Sequence, residues 1–178
     1  MQIDTTFGSE IADRSGQNIS VCYQCLKCFV GCPVANHMDF KPNNLIRRIQ
    51  YGLREKVLKS HAIWMCVSCM TCGVRCPNEI DMGAVMDILR EMSIEAGYAH
   101  ESERNVVLLH EEFVRSIKMW GRLHELTFFI AYMARSLDFS GVGSAPTLLS
   151  RGKLPLLPTR IDGIEEVRGM YAKIAQSS

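Results

Sequence analysis

Two twelve-residue stretches carry the chemistry of this chain. They are Cys22-Tyr23-Gln24-Cys25-Leu26-Lys27-Cys28-Phe29-Val30-Gly31-Cys32-Pro33 and Cys66-Val67-Ser68-Cys69-Met70-Thr71-Cys72-Gly73-Val74-Arg75-Cys76-Pro77. Both read C-x2-C-x2-C-x3-C-P. That run is the bacterial signature of a [4Fe–4S] cubane, so two copies predict two [4Fe–4S] clusters. A cubane takes thiolates at the corners of a tetrahedron. Three cysteines spaced two residues apart on a tight turn can face one cluster from one side. The fourth, beside proline, points away, and in two-cluster ferredoxins it ligates the other cluster. The expected ligand sets are Cys22, Cys25, Cys28 and Cys76 for one cluster, and Cys66, Cys69, Cys72 and Cys32 for the other. Each cluster would then tie the two copies together, and its assembly would be part of folding.

All eight cysteines of the chain fall in the two copies. Zinc and disulfides are the competing uses. A zinc site takes two Cys pairs, or Cys and His, as four ligands in all. It leaves the third cysteine and the cysteine before proline unexplained in both copies. Disulfides suit a small secreted chain, and no signal peptide is expected here. The polar stretch from Met1 to Ser20 carries Asp4, Glu10, Asp13 and Arg14 rather than a basic region followed by an apolar run.

A cubane held by four cysteines has no open iron for substrate. It takes and gives one electron, so two of them make a relay, and no catalytic residue is expected. Lys27 and Arg75 lie inside the motifs, with Arg47 and Arg48 not far along the chain. They would favour the more negative, reduced cluster, or simply form solvated surface. The sequence contains no Gly-rich nucleotide fingerprint, no P-loop and no nucleophile elbow. His37, His61, His100, His110 and His124 are scattered and read as surface or core residues. Only His37, five residues past Cys32, stands where it could bond a cluster sulfur.

Length bounds the rest. The 178 residues are about one domain's worth, and 47% of them are hydrophobic, enough for a core. A formal net charge of +1 gives no case for nucleic acid or an anionic membrane as partner. A transmembrane helix needs about 18 apolar residues. The longest such run near the C-terminus, Leu126 to Ala134, is half that. Eight thiols committed to metal fit a reducing compartment, and the expectation is a cytoplasmic protein.

The segments around the motifs read as helix, giving an all-α fold. Residues 1–20 are expected as an N-terminal arm, either with two helical turns stopped at Gly16 or as a disordered tail. Residues 21–98 form the helical two-cluster domain. In its connector Pro42-Asn43-Asn44 opens a helix, Leu45, Ile46, Ile49, Leu53 and Val57 recur at helical spacing, and Gly52 weakens or breaks the run. Nothing alternates as a strand would. Asp81 is an N-cap for a helix over 82–96 that stops at Gly97. Residues 99–139 are expected as a helical extension. There Phe113, Ile117, Trp120, Leu123, Leu126, Ile130 and Met133 track one face, either core or a docking face for a partner protein. Residues 140–178 are expected as a Gly-, Pro- and Ser-rich linker and an extended arm ending in a short helix over 161–175. That arm reaches a neighbour or packs on its own domain.

The two motifs, the connector ending in Ile63-Trp64-Met65-Cys66, and Val85-Met86-Asp87-Ile88-Leu89-Arg90 with Ala96-Gly97-Tyr98 resemble the C subunit of heterodisulfide reductase. So do Gly121-Arg122 with Glu125, Gly152-Lys153-Leu154-Pro155, and Gly163-Ile164-Glu165-Glu166-Val167. The likeness is densest over residues 20–98. The cysteine motifs alone are shared with fumarate reductase iron–sulfur subunits and the glycerol-3-phosphate dehydrogenase C subunit, whose additional domains this sequence does not show. The resemblance implies an alpha-helical ferredoxin serving as a non-catalytic electron-transfer component of a hetero-oligomeric complex. Its clusters would relay electrons between an A-type flavin and iron–sulfur subunit and a B-type CCG-domain subunit, which works on a disulfide such as the coenzyme M–coenzyme B heterodisulfide. In similar bacterial complexes of sulfur oxidation the electrons run the other way, and Cys22-Tyr23-Gln24-Cys25 and Pro42-Asn43 point toward that branch. A free-standing two-cluster ferredoxin is the further alternative. It would need neither the apolar run Phe113–Met133 nor the arm Ser140–Pro158.

Overall fold

Asp81 starts the helix on which the cysteine-bearing half is assembled. Its carboxylate accepts hydrogen bonds from the Gly83 and Ala84 amides at 2.8 and 3.4 Å, satisfying two of the donors a helix start leaves open. The helix runs Met82–Glu95. It ends where Gly97 takes φ +74°. There the Gly97 amide bonds Ile94 O and the Tyr98 amide bonds Ser93 O. That bond pair is the Schellman closure, and its left-handed residue is most cheaply a glycine.

The structure is a computed structural model and describes residues 3–98, 103–140, 142–152, 155 and 157–177. His100, Glu101, Gly141, Lys153 and Leu154, singled out in the sequence, lie outside those residues. All regular elements among the described residues are helical, so the fold is all-α. No described helix is long and apolar enough to cross a membrane. The chain divides into two compact units, Met1–Glu103 and Arg104–Ser178.

The first unit contains α1 (Phe7–Ser15), α2 (Lys27–Val30), α3 (Pro42–Gln50), α4 (Arg54–Leu58), α5 (Ala62–Met65), α6 (Thr71–Arg75) and α7 (Met82–Glu95). Proline opens α3 at its first position, where the missing N–H costs nothing. Leu45, Ile46 and Ile49 of α3, Val57 and Leu58 of α4, Ile63 of α5, and Val85, Met86 and Leu89 of α7 are the core. Burying each is worth about 1.5–3 kcal/mol. The segment expected as an arm supplies two more core residues. Phe7 and Ile11 of α1 are completely buried. Arg54 fastens that helix, bonding Asp4 at 2.6 Å, pairing with Glu10 and lying over the Phe7 ring. Sequence periodicity across two turns could not show this, because the anchoring charge sits on another helix. Gly52 ends the α3 run at φ +68°. A Cβ there would stand 2.2 Å from the Asp4 carbonyl oxygen.

The second unit contains α8 (Arg104–Trp120), α9 (Glu125–Ser136), α10 (Ala145–Ser150) and α11 (Ile164–Ser177). The apolar run 113–133 is broken rather than continuous. Gly121 takes φ +78°, and α9 folds back on α8 with Phe113 and Phe128 edge to face at 6.3 Å. Buried Glu112 of α8 is bonded by Arg135 of α9 at 2.6 Å. The face itself is not a closed core, since Phe113 and Ile130 are exposed. The C-terminal helix α11 returns to α8. Ile161 N bonds Trp120 O at 3.1 Å, Lys118 lies over the Tyr171 ring, and Arg168 reaches the carbonyls of Lys118 and Met119. Part of the stretch expected as linker is instead helical, as α10 and a 3₁₀ turn at Val142–Ser144.

Candidate metal centre

The two cysteine runs fold alike, residue for residue. Gln24 and Ser68 occupy the same place in the pattern and take φ +61° and +49°. Leu26 and Met70 do likewise at +67° and +61°. None is glycine, so all four carry backbone strain. In each run the left-handed Leu26 or Met70 is followed directly by the first right-handed residue of a helix, the pairing that turns successive N–H groups to one side in the nests found at phosphate and iron–sulfur sites. Each run then enters a helix of one turn, α2 or α6, and these two helices pack on each other.

The cysteines gather across the copies. Cys32 lines one cavity with Cys66, Cys69 and Cys72, closed by Val34, Met38, Pro42 and Met86. Burial pushes the Cys72 thiol up to about 11, with the neighbouring Cys66, Cys32 and Cys28 adding to the rise. Cys28 is also raised to about 11, by burial first and by Cys22 and then Cys25. Partly covered thiols set beside one another repel as thiolates. Loading with iron must displace their protons and supply the positive charge that holds them together. On the other side Asn78, two residues past Cys76, donates to the Val21 carbonyl next to Cys22. Arg75 reaches Gly31 and shares a cavity with Cys25, Lys27 and Val30. Among the described residues no three His, Cys, Asp or Glu side chains converge on a single ion. A cubane spreads its thiolates over four corners instead, and this donor set, sulfur only, with Cys32, Cys66, Cys69 and Cys72 lining one cavity, fits that group.

Polar groups meet the sulfurs and their loops. The Gln24 amide nitrogen stands 3.4 Å from Cys22 Sγ, and Thr71 Oγ1 stands 3.4 Å from Cys69 Sγ. Arg90 of α7 braces the second loop, donating to the Ile63 and Cys66 carbonyls, to Ser68 Oγ and to Asp87. Nothing in the sequence spacing marks Gln24 and Thr71 as neighbours of sulfur, or Arg90 as the brace of the second loop. Of the basic residues in or near the motifs, Lys27 and Arg75 lie by Cys25, and Arg47 lines a cavity with Cys22. Arg48 instead covers the Phe40 ring. His37 is exposed.

Cys25 and Cys69, at the same place in the two runs, are exposed, and the other six cysteines are partly covered. Apolar side chains at matching positions surround them in the open. Val30 and Val74 are 75% and 87% exposed, and Tyr23, Val67, Leu26 and Met70 are exposed as well.

Comparison with known proteins agrees with this geometry. Residues 18–80 match the family described as a 4Fe-4S dicluster domain. The chain is similar to the C subunit of the H(2):CoB-CoM heterodisulfide,ferredoxin reductase of Methanothermobacter thermautotrophicus, 28% identical over 60% of this chain and 59% of that protein. It is also similar to the iron-sulfur C subunit of the CoB–CoM heterodisulfide reductase of Methanopyrus kandleri, 31% identical over 51% of this chain and 47% of that protein. The C 2 subunit of the same name from Methanocaldococcus jannaschii is 32% identical over 52% and 50%. The matched region thus spans about half the length of these relatives. Residues 18–80 form a 4Fe-4S dicluster domain for two [4Fe–4S] clusters, and the curated homologues are heterodisulfide reductase C subunits.

Proposed function

We propose that this chain is the C-type electron-transfer subunit of a heterodisulfide-reductase-type complex, with its two clusters ligated crosswise. One site is Cys22, Cys25, Cys28 and Cys76. The other is Cys66, Cys69, Cys72 and Cys32. The observation that supports this best is Cys32 in the cavity of the second run. When bound, each cluster takes up and releases a single electron. The chain's own residues do the rest. The eight cysteine thiolates would hold the two clusters. Met38, Met86 and Pro42 exclude water from the second site. Lys27 and Arg75 offset negative charge at the first. The exposed apolar side chains about Cys25 and Cys69 leave those edges open for a partner to approach closely, as electron transfer requires.

The partners proposed are an A-type flavin and iron–sulfur subunit and a B-type CCG-domain subunit working on a disulfide, in the cytoplasm. The names of the relatives, which specify the CoB–CoM heterodisulfide, support a disulfide as the terminal group. Anaerobic purification of the full chain from its native host tests the proposal. Subunits of A and B type are expected to co-purify, with about eight irons and eight sulfides on this chain. A clean monomer without partners would count for a free-standing ferredoxin instead.

A further inference from the structure

Gln24 is held by a set of hydrogen bonds that leaves its amide one orientation. Its Nε2 lies 2.9 Å from the backbone oxygen of Asn43 and 3.4 Å from Cys22 Sγ. Its Oε1 accepts from Asn43 Nδ2 at 3.2 Å. Amide nitrogen and oxygen are ordinarily interchangeable by rotation. Here the Asn43 carbonyl can only accept, so the nitrogen must face it, and the second N–H is left for the sulfur. Asn43 is buried, 7% exposed, in the first turn of α3. It also donates to Asn44 Oδ1. The donor therefore sits against a rigid element, with its own backbone at φ +61°.

The second copy is built differently at this position. Ser68 has the same left-handed backbone, but its hydroxyl accepts from Arg90 at 3.4 Å. The sulfur contact of that copy is made by the Thr71 hydroxyl, on Cys69, where the first copy has Lys27. A hydrogen bond to a ligand sulfur stabilises the more negative, reduced cluster and so raises its reduction potential. An amide N–H directed by fixed partners does this without reorganising. We infer that Gln24 sets the potential of the cluster on Cys22, raising it through the locked amide, and that Asn43 is the residue that positions it. The inference rests on the proposed ligation of a cluster by Cys22, and it goes beyond that ligation to say what distinguishes one cluster from the other.

The test is Gln24→Ser, which installs the side chain of the second copy, in the full chain purified anaerobically with its clusters. The readout is a redox titration followed by electron paramagnetic resonance. One midpoint is expected to fall, lowering the reduced-to-oxidised ratio at the wild-type midpoint by up to tenfold, equivalent to about 59 mV for one electron. The other midpoint stays put. Gln24→Glu keeps the side-chain shape and replaces the donor with an acceptor, and it lowers the same midpoint further. It also serves if the serine variant fails to load. Two unmoved midpoints overturn the inference, as does an equal shift of both. Loss of the first cluster in both variants overturns it too, because a tuning donor is dispensable for binding. A wild-type chain without two clusters would instead refute the ligation on which the inference rests.

Discussion

Cys32 stands beside Cys72, although they belong to different copies of the cysteine run. They line one cavity, and Cys32 is among the groups that hold the Cys72 thiol protonated. Helices α2 and α6, packed on each other, bring Cys32 to the other copy.

Crossing makes an unusual prediction for single substitutions. Cys76→Ala should remove the cluster of Cys22, Cys25 and Cys28 and spare that of Cys66, Cys69 and Cys72. Cys32→Ala should do the reverse. Iron analysis with paramagnetic resonance of each variant checks this; loss of the cluster nearer in sequence would refute the crossing.

Removing iron should loosen the motifs before the core. Helices α2, α5 and α6 have four, four and five residues, too few to stand alone in water. The apolar packing of α1, α3 and α7 does not depend on sulfur. Lys27 and Arg75 are already at the surface, and anaerobic chelation is expected to loosen the backbone there enough for trypsin to cut, with mass spectrometry showing those cuts first. Equal resistance of the loaded and stripped forms would contradict it.

Gly52 and Gly97 separate conformational strain from collision. Both have positive φ, but a Cβ at Gly97 meets nothing within 4 Å, whereas at Gly52 it meets backbone at 2.2 Å. Gly97→Ala should cost about 1–2 kcal/mol for the left-handed conformation alone. Gly52→Ala should cost more and detach α1, since Asp4 N also bonds Gly52 O. Denaturant melts of both variants, read with α1 proteolysis, decide between them.

Arg90 should act on the second cluster alone. Its guanidinium holds the Ile63 and Cys66 carbonyls together, a geometry that a lysine ammonium cannot reproduce. Hydrogen bonds to a charged group are worth about 1.5–3 kcal/mol. Arg90→Lys is expected to speed loss of the cluster at Cys66 to chelator severalfold, leaving the other cluster's lifetime unchanged.

Residues close along the chain wrote their own part of this structure. The repeated cysteine spacing specified the cofactor class and number, because a cubane's corners impose it on neighbouring residues. Asp81, Gly97, Gly16 and Pro42 marked helix ends for equally local reasons, through side-chain caps, left-handed φ and a fixed proline ring. The break at Gly121 was not legible, because Phe113, Ile117, Trp120 and Leu123 keep helical spacing straight through it. Folding in three dimensions decided that break, the burial of Phe7 and Ile11 under Arg54, and the meeting of Gln24 with Cys22 and Asn43. It also gathered Cys32 with Cys66, Cys69 and Cys72. Those relations join residues on different elements, and their energies depend on which faces pack together, which periodicity along one element does not record.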